Sequence, residues 1–188
     1  MEEIILEDKK VFLYLNNLGN SSFDQFWMMI SATWIWVPLY IIFCYFLYKN
    51  FKLKSLLYIL LFIAIGVTVS DQLAGIFKYG VGRLRPCHDP SVRHYMRIVK
   101  CGGRFGFYSA HASNTFFLAT FLSILLKSKL NWFPYAIFVW AATVAYSRVY
   151  LGVHFPIDIL VGAFVGVLLG VIFVMLTKKV INKQTIKP

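Results

Sequence analysis

An all-α, polytopic membrane bundle is the fold class this sequence predicts, and three observations predict it. Of the 188 residues, 59% are hydrophobic and only 14% charged, with a mean hydropathy of +0.67; soluble domains carry about 25% charged residues. Five stretches are apolar over roughly the 20 residues that a spanning helix needs. Lysines gather in alternate linkers that hold no acid, and such asymmetry sets which end of each span stays in the cytoplasm. Length and apolar content together give one membrane-embedded domain over residues 1–188.

Taken in order, residues 4–18 are too short and mixed to span. Ile4, Ile5, Val11, Phe12, Leu15 and Leu18 suit one face of an N-terminal interfacial helix; a loosely ordered terminus is the plain alternative. The chain opens on Glu2, Glu3, Glu7 and Asp8 without a basic segment before an apolar core, so no cleavable signal peptide is expected. The five spans cover roughly 26–48, 55–77, 109–126, 131–150 and 156–177. The linkers KNFKLK and KSK and the tail KKVINKQTIK together hold nine lysines. An odd number of spans puts all three in the cytoplasm, with the N-terminus and residues 78–108 and 151–155 outside. In a bacterium that is a multi-pass protein of the inner membrane whose outer loops face the periplasm.

The outer loop breaks the charge rule. It carries Lys78, Arg83, Arg85, Arg93, Arg97, Lys100 and Arg104 against Asp89 alone, and the whole chain is +11. A solvated loop meeting anionic headgroups is one reading. A site for a multiply charged anion such as phosphate is the sharper one. Nucleic acid is not implied, because the charge lies in linkers and this loop.

Three clusters fall on the outer side. KYGVGRLRP places Lys78 at the end of the second span and Arg85 seven residues on. YSAH, residues 108–111, opens the third span. SRVYLGVHFPID closes the fourth with Ser147 and Arg148 and opens the fifth with His154 and Asp158. Gly152 marks a tight turn, and Pro156 suits a first helical position. Asp158, four residues beyond His154, can fix the imidazole tautomer and leave the other nitrogen as nucleophile. The start of the third helix offers free amides and a positive dipole end to an anion. Ser109 there can bond a phosphate oxygen, and His111 can give a proton to a leaving oxygen. Lys78, Arg85 and Arg148 would neutralise a five-coordinate phosphorus transition state.

These residues resemble the signature of the type 2 phosphatidic acid phosphatase (PAP2) superfamily, which is related to vanadium haloperoxidases. K-x6-R-P is complete at Lys78, Arg85 and Pro86, and S-R-x5-H-x3-D at Ser147, Arg148, His154 and Asp158. P-S-G-H is altered: Tyr108 stands for Pro and Ala110 for Gly, with Ser109 and His111 kept. The resemblance implies a PAP2/haloperoxidase-like core and a metal-free, cofactor-free lipid phosphatase. In that reading His154 is the nucleophile, Asp158 orients it, His111 is acid then base, and Lys78, Arg85, Ser109 and Arg148 hold phosphate. It is most similar to compact bacterial members acting on undecaprenyl pyrophosphate or lipid A. The small chain inclines the reading to undecaprenyl pyrophosphate, with lipid A phosphates close behind.

The altered motif puts Tyr108 and Ala110 where they would select the substrate. Asp71, two helical turns before Lys78 and on the same face, either supports the basic site from behind or packs helices together. Cys87 and Cys101 share the outer loop and are either bridged or free thiols. Rival functions are a lipid-to-lipid phosphotransferase, a non-catalytic lipid carrier or flippase, and a zinc site of Cys87, His88, His94 and Cys101, whose spacing fits zinc poorly.

Overall fold

The structure is a computed structural model and describes residues 2–185, with side chains to 182; Lys183 and Lys187 of the basic tail fall outside the described side chains. Seven α-helices form: α1 Glu2–Asn17, α2 Asp24–Ser31, α3 Val37–Asn50, α4 Leu53–Val81, α5 Ala110–Leu126, α6 Phe133–Tyr150 and α7 Pro156–Thr185. No strand occurs among the described residues; the one β-bridge pairs Leu84 with Phe105 in the loop between α4 and α5.

Local chemistry sets the ends that matter. Gly82 closes α4 in the left-handed conformation (φ 66°), where a side chain would be strained. Ser109 caps α5, its hydroxyl accepting from the Ala112 amide at 3.4 Å. Pro156 opens α7, where its missing N–H costs nothing. Gly152, at φ 78°, makes the turn between α6 and α7.

The helix α5 is the axis. It is buried on nearly all sides and packs against α4, α6 and α7, which explains why it is apolar all round. Its closest neighbour is α7, which presents Gly162, Gly166 and Gly170 to it. A methyl at Gly162 would meet the Ser109 carbonyl, and one at Gly166 the Ser113 carbonyl. Such small-residue stripes let backbones approach closely where lipid gives no hydrophobic drive. Phe117, Phe121, Ile59, Leu47 and Trp140 fill the core towards the other end.

One expectation is corrected. Five spans are not met by length and composition. Only α4 and α7 qualify, or three elements if α2 and α3 count as one broken span bent by 66°. The stretch 26–48 is broken at Ala32, which turns extended, and α3 restarts at Val37 with Pro38 in its first turn; the Trp36 indole donates to the Ile30 carbonyl across the break. The helix α5 has only 17 residues and lies in the interior, whereas α6 carries Ser147 and Arg148 in its last turn and keeps an outer face with Tyr135 and Val139 exposed. The helix α1 forms and docks on the rest of the chain through Asp8, Phe12 and Asn16, while Ile4, Ile5, Val11 and Leu18 of the expected interfacial face stay exposed.

The bundle has two unlike ends. The ends of α4 and α6 meet the starts of α5 and α7 at one. The lysine linkers lie at the other, where Lys178 of α7 reaches the Ile124 carbonyl of α5 at 3.5 Å.

Candidate active site

All three sequence clusters meet at the first end. The link between the second and third is direct: the Ser109 amide donates to the Asp158 carbonyl at 3.0 Å. The turn after α6 is tied back by Val153 N–H to the Arg148 carbonyl at 3.0 Å. This holds Arg148 and His154 together, while Asn16 of α1 clamps the end of α6 through the Tyr150 carbonyl at 2.9 Å.

His154 and Asp158 are buried, at 2% and 0% exposure. His154 Nδ1 lies 3.4 Å from Asp158 Oδ2, an ion-pair distance without hydrogen-bond geometry among the described residues. The same oxygen accepts the Phe155 amide at 3.1 Å, as a carboxylate at the third helical position does in a capping box. Burial pushes the His154 imidazole down to about 4, with Asp158 pulling the other way. At neutral pH it therefore carries a free lone pair.

Arg148 is 6% exposed and donates to the Ser31 hydroxyl, while its Nε has no partner. Among the described residues no carboxylate pairs with Arg148, Lys78 or Arg85. Lys78, Arg85, Arg148 and His154 all lie within electrostatic reach of His111. Arg85 is steered by its Nε donating to the Phe105 carbonyl at 3.1 Å. A half-buried cluster of cations without counter-ions costs several kcal/mol unless an anion enters.

Below this cluster runs a cavity of about 430 Å³, which begins beside His111, Asp71 and Asn114 and ends near Leu122 and Leu47. From His111 to Leu122 it follows α5 for roughly 16 Å at the helical rise. Asn114 points its amide at Asp71 over 3.5 Å, so Asp71 belongs to the rim of this cavity.

Several expected residues fall differently. Ser109 is buried and caps α5, its oxygen accepting from the Ala112 amide while its O–H stays able to donate. Tyr108 and Ala110 are 1% and 9% exposed. They pack with Ala74 and against Phe77 inside the bundle, not at an open mouth. Cys87 and Cys101 are joined in a disulfide with Cα atoms 5.8 Å apart, so these sulfurs cannot serve as zinc thiolates beside His88. The basic loop is divided: Arg97 pairs with Asp24 at 2.8 Å and Arg83 with Asp8 and Asp158. Asp8, Asn16 and Arg83 were not singled out from the sequence. The spacing of Asp8, Phe12 and Asn16, four apart on one helical face, is the signal that could have found the first two.

Half-buried cations without a carboxylate in ion-pair contact, at one end of an apolar bundle, suit a lipid whose head carries negative charge. The class of protein that cleaves such heads is the membrane phosphatases. The sequence matches the PAP2 superfamily over residues 55–182, and the chain belongs to that superfamily and is a phosphatase. It is 37% identical over 173 residues to a lipid A 4'-phosphatase of Porphyromonas gingivalis, covering 90% of this chain and 72% of that one. It is 37% identical over 176 residues to a lipid A 4'-phosphatase of Bacteroides thetaiotaomicron, covering 92% and 77%. Among solved structures it resembles LpxE of Aquifex aeolicus, with a TM-score of 0.64 at 22% identity over 88% of this chain and 93% of that one. It also resembles a transmembrane PAP2-type phosphatidylglycerolphosphate phosphatase of Bacillus subtilis, with a TM-score of 0.69 at 23% identity over 100% and 89%. These two likenesses bear on the fold.

Proposed function

We propose that this protein removes a phosphate from lipid A at the periplasmic face of the inner membrane, as a single domain, through a phosphohistidine on His154. The observation that carries the proposal is Arg148: a buried guanidinium without a carboxylate, beside Lys78 and Arg85, in electrostatic reach of two histidines. The names of the relatives incline the substrate to lipid A rather than undecaprenyl pyrophosphate. The cavity beside His111 suits an acyl chain of the same lipid. The placing of the site at the end opposite the lysine linkers supports the periplasmic side.

In the reaction, Nε2 of neutral His154 attacks phosphorus while the bond to the sugar oxygen breaks. Asp158 faces the imidazolium that forms. His111, which takes up a proton as the anionic phosphate enters among the cations beside it, gives that proton to the leaving oxygen, which departs as an alcohol. Lys78, Arg85 and Arg148 hold the phosphoryl oxygens, whose charge spreads in the transition state. His111, now neutral, takes a proton from water, whose oxygen attacks the phosphohistidine. The P–N bond breaks, inorganic phosphate leaves, and His154 is restored.

The test is phosphate release by the purified full-length chain, with EDTA present, from lipid A, undecaprenyl pyrophosphate and phosphatidic acid. Lipid A is expected to give the highest kcat/KM, and His154→Ala to abolish release. His111→Ala should lose more on lipid A than on the pyrophosphate, whose phosphate leaving group needs less help from a proton. Activity in His154→Ala would refute the nucleophile, and preference for undecaprenyl pyrophosphate would refute the substrate. Transfer of label to an added lipid acceptor rather than to water would make the protein a phosphotransferase.

A further inference from the structure

The N-terminal helix enters the candidate site through one side chain. Asp8 of α1 is 5% exposed, and both its oxygens are engaged. Oδ2 meets Arg83 NH2 at 2.5 Å, and Oδ1 accepts the Ile157 amide in the first turn of α7 at 2.9 Å. Arg83 turns its other nitrogen, NH1, to Asp158 Oδ1 at 2.8 Å. Its guanidinium stands 4.4 Å over the Phe155 ring. The two oxygens of Asp158 are thus divided, one to Arg83 and the other to Phe155 N–H and the edge of His154. The chain Asp8–Arg83–Asp158–His154 runs from the N-terminal helix to the imidazole.

We propose that Asp8 and Arg83 are positioning residues that set both the orientation and the charge of Asp158 against His154. Orientation follows from geometry. With Oδ1 held by Arg83 and Oδ2 by Phe155, the carboxylate cannot rotate, and Oδ2 stays on the His154 side. Charge follows from counting. Arg83 alone would cancel Asp158 and leave nothing to stabilise the imidazolium that forms as His154 is phosphorylated. Asp8 restores one net negative charge to the group, inside a site where charges are weakly screened. The inference rests on His154 being the nucleophile.

The experiment uses the full-length protein and lipid A labelled with ³²P on its phosphate, mixed at saturating substrate and quenched rapidly. The readouts are the rate of ³²P appearing on the protein, the steady-state KM and the thermal midpoint. Asp8→Asn keeps shape and removes charge; it should slow phosphorylation about tenfold with KM unchanged. Arg83→Met should slow it roughly 10–100-fold, as a displacement of a reacting group by an ångström does. Arg83→Lys, which keeps the charge and loses the fork, should recover part of that loss. The double variant Asp8→Asn, Arg83→Met should be no slower than Arg83→Met, because Asp8 acts through Arg83. Wild-type phosphorylation rates in Asp8→Asn and Arg83→Met would overturn the inference. So would losses that follow the thermal midpoint and KM alone, with Arg83→Lys no better than Arg83→Met. His154→Ala serves as the control for the underlying reading. If it still releases phosphate, the nucleophile is wrong; if it is dead while Asp8→Asn and Arg83→Met are normal, only the positioning role fails.

Discussion

Arg148 shows what one residue can decide. A guanidinium placed in the interior with a hydroxyl as its partner is a cost that folding alone does not explain. Arg148→Met should therefore raise the thermal midpoint while abolishing turnover, the trade expected where function opposes stability. Thermal unfolding beside phosphate release checks this; a midpoint that falls with the activity would make Arg148 structural. His154 carries a second expectation, set by pH. An unfolded histidine titrates near 6.5 and this one at about 4. The unfolded chain therefore binds more protons in that window, and stability should fall as pH drops from about 6.5 to about 4. The nucleophile is lost over the lower part of the same range, so kcat/KM should fall as pH drops below about 5. The facing groups are Asp158, Arg85, Arg148 and His111. Thermal midpoints of the parent and His154→Ala between pH 4 and 8 check the sign: the variant should have the flatter profile.

At the scale of elements, glycines of the same kind sit in unlike surroundings. Gly166 of α7 faces the backbone of α5 at Ser113 and Phe117, whereas Gly75 and Gly80 of α4 have open space around them. Gly166→Ala should cost about 1–3 kcal/mol by overpacking. It should also lower kcat, since it pushes apart the helices that carry His111 and Asp158. Gly75→Ala or Gly80→Ala should stabilise by about 0.4–1 kcal/mol through the unfolded chain and leave kcat unchanged. Measuring midpoints and kcat for the three variants separates the two environments. Equal effects would mean that α5 and α7 do not set the site's geometry.

At the scale of the whole molecule, the bundle is polarised, with cationic site and disulfide at one end and lysine linkers at the other. A membrane-impermeant thiol reagent should label Cys87 or Cys101 in cells whose outer membrane is permeable and whose disulfides are reduced. Labelling only after the inner membrane is broken would turn the molecule over. The bridge closes a short loop, with a sequence separation of 14, and Cys87→Ser with Cys101→Ser should cost about 3 kcal/mol in the chain-entropy model. Since Arg83 and Arg85 lie just before Cys87, the loss should appear in activity before it appears in helix content.

The sequence by itself determined the helical class, the family and the three clusters, because hydropathy and motif spacing are local quantities carried by neighbouring residues. Lys78, Arg85, His111, Arg148, His154 and Asp158 were all readable that way. Only the tertiary structure decided that the first long apolar stretch breaks at Ala32, and that α5 is an interior helix. Burial by neighbours can stand in for lipid, and hydropathy does not distinguish the two. The structure likewise took Tyr108 and Ala110 into the packing and made Ser109 a cap. It brought Asp8 of the N-terminal helix to Arg83 and so to Asp158. An acidic residue in an amphipathic helix reads as a solvated face, since its partner lies 75 residues away, and only the folded chain brings a contact of that separation into being.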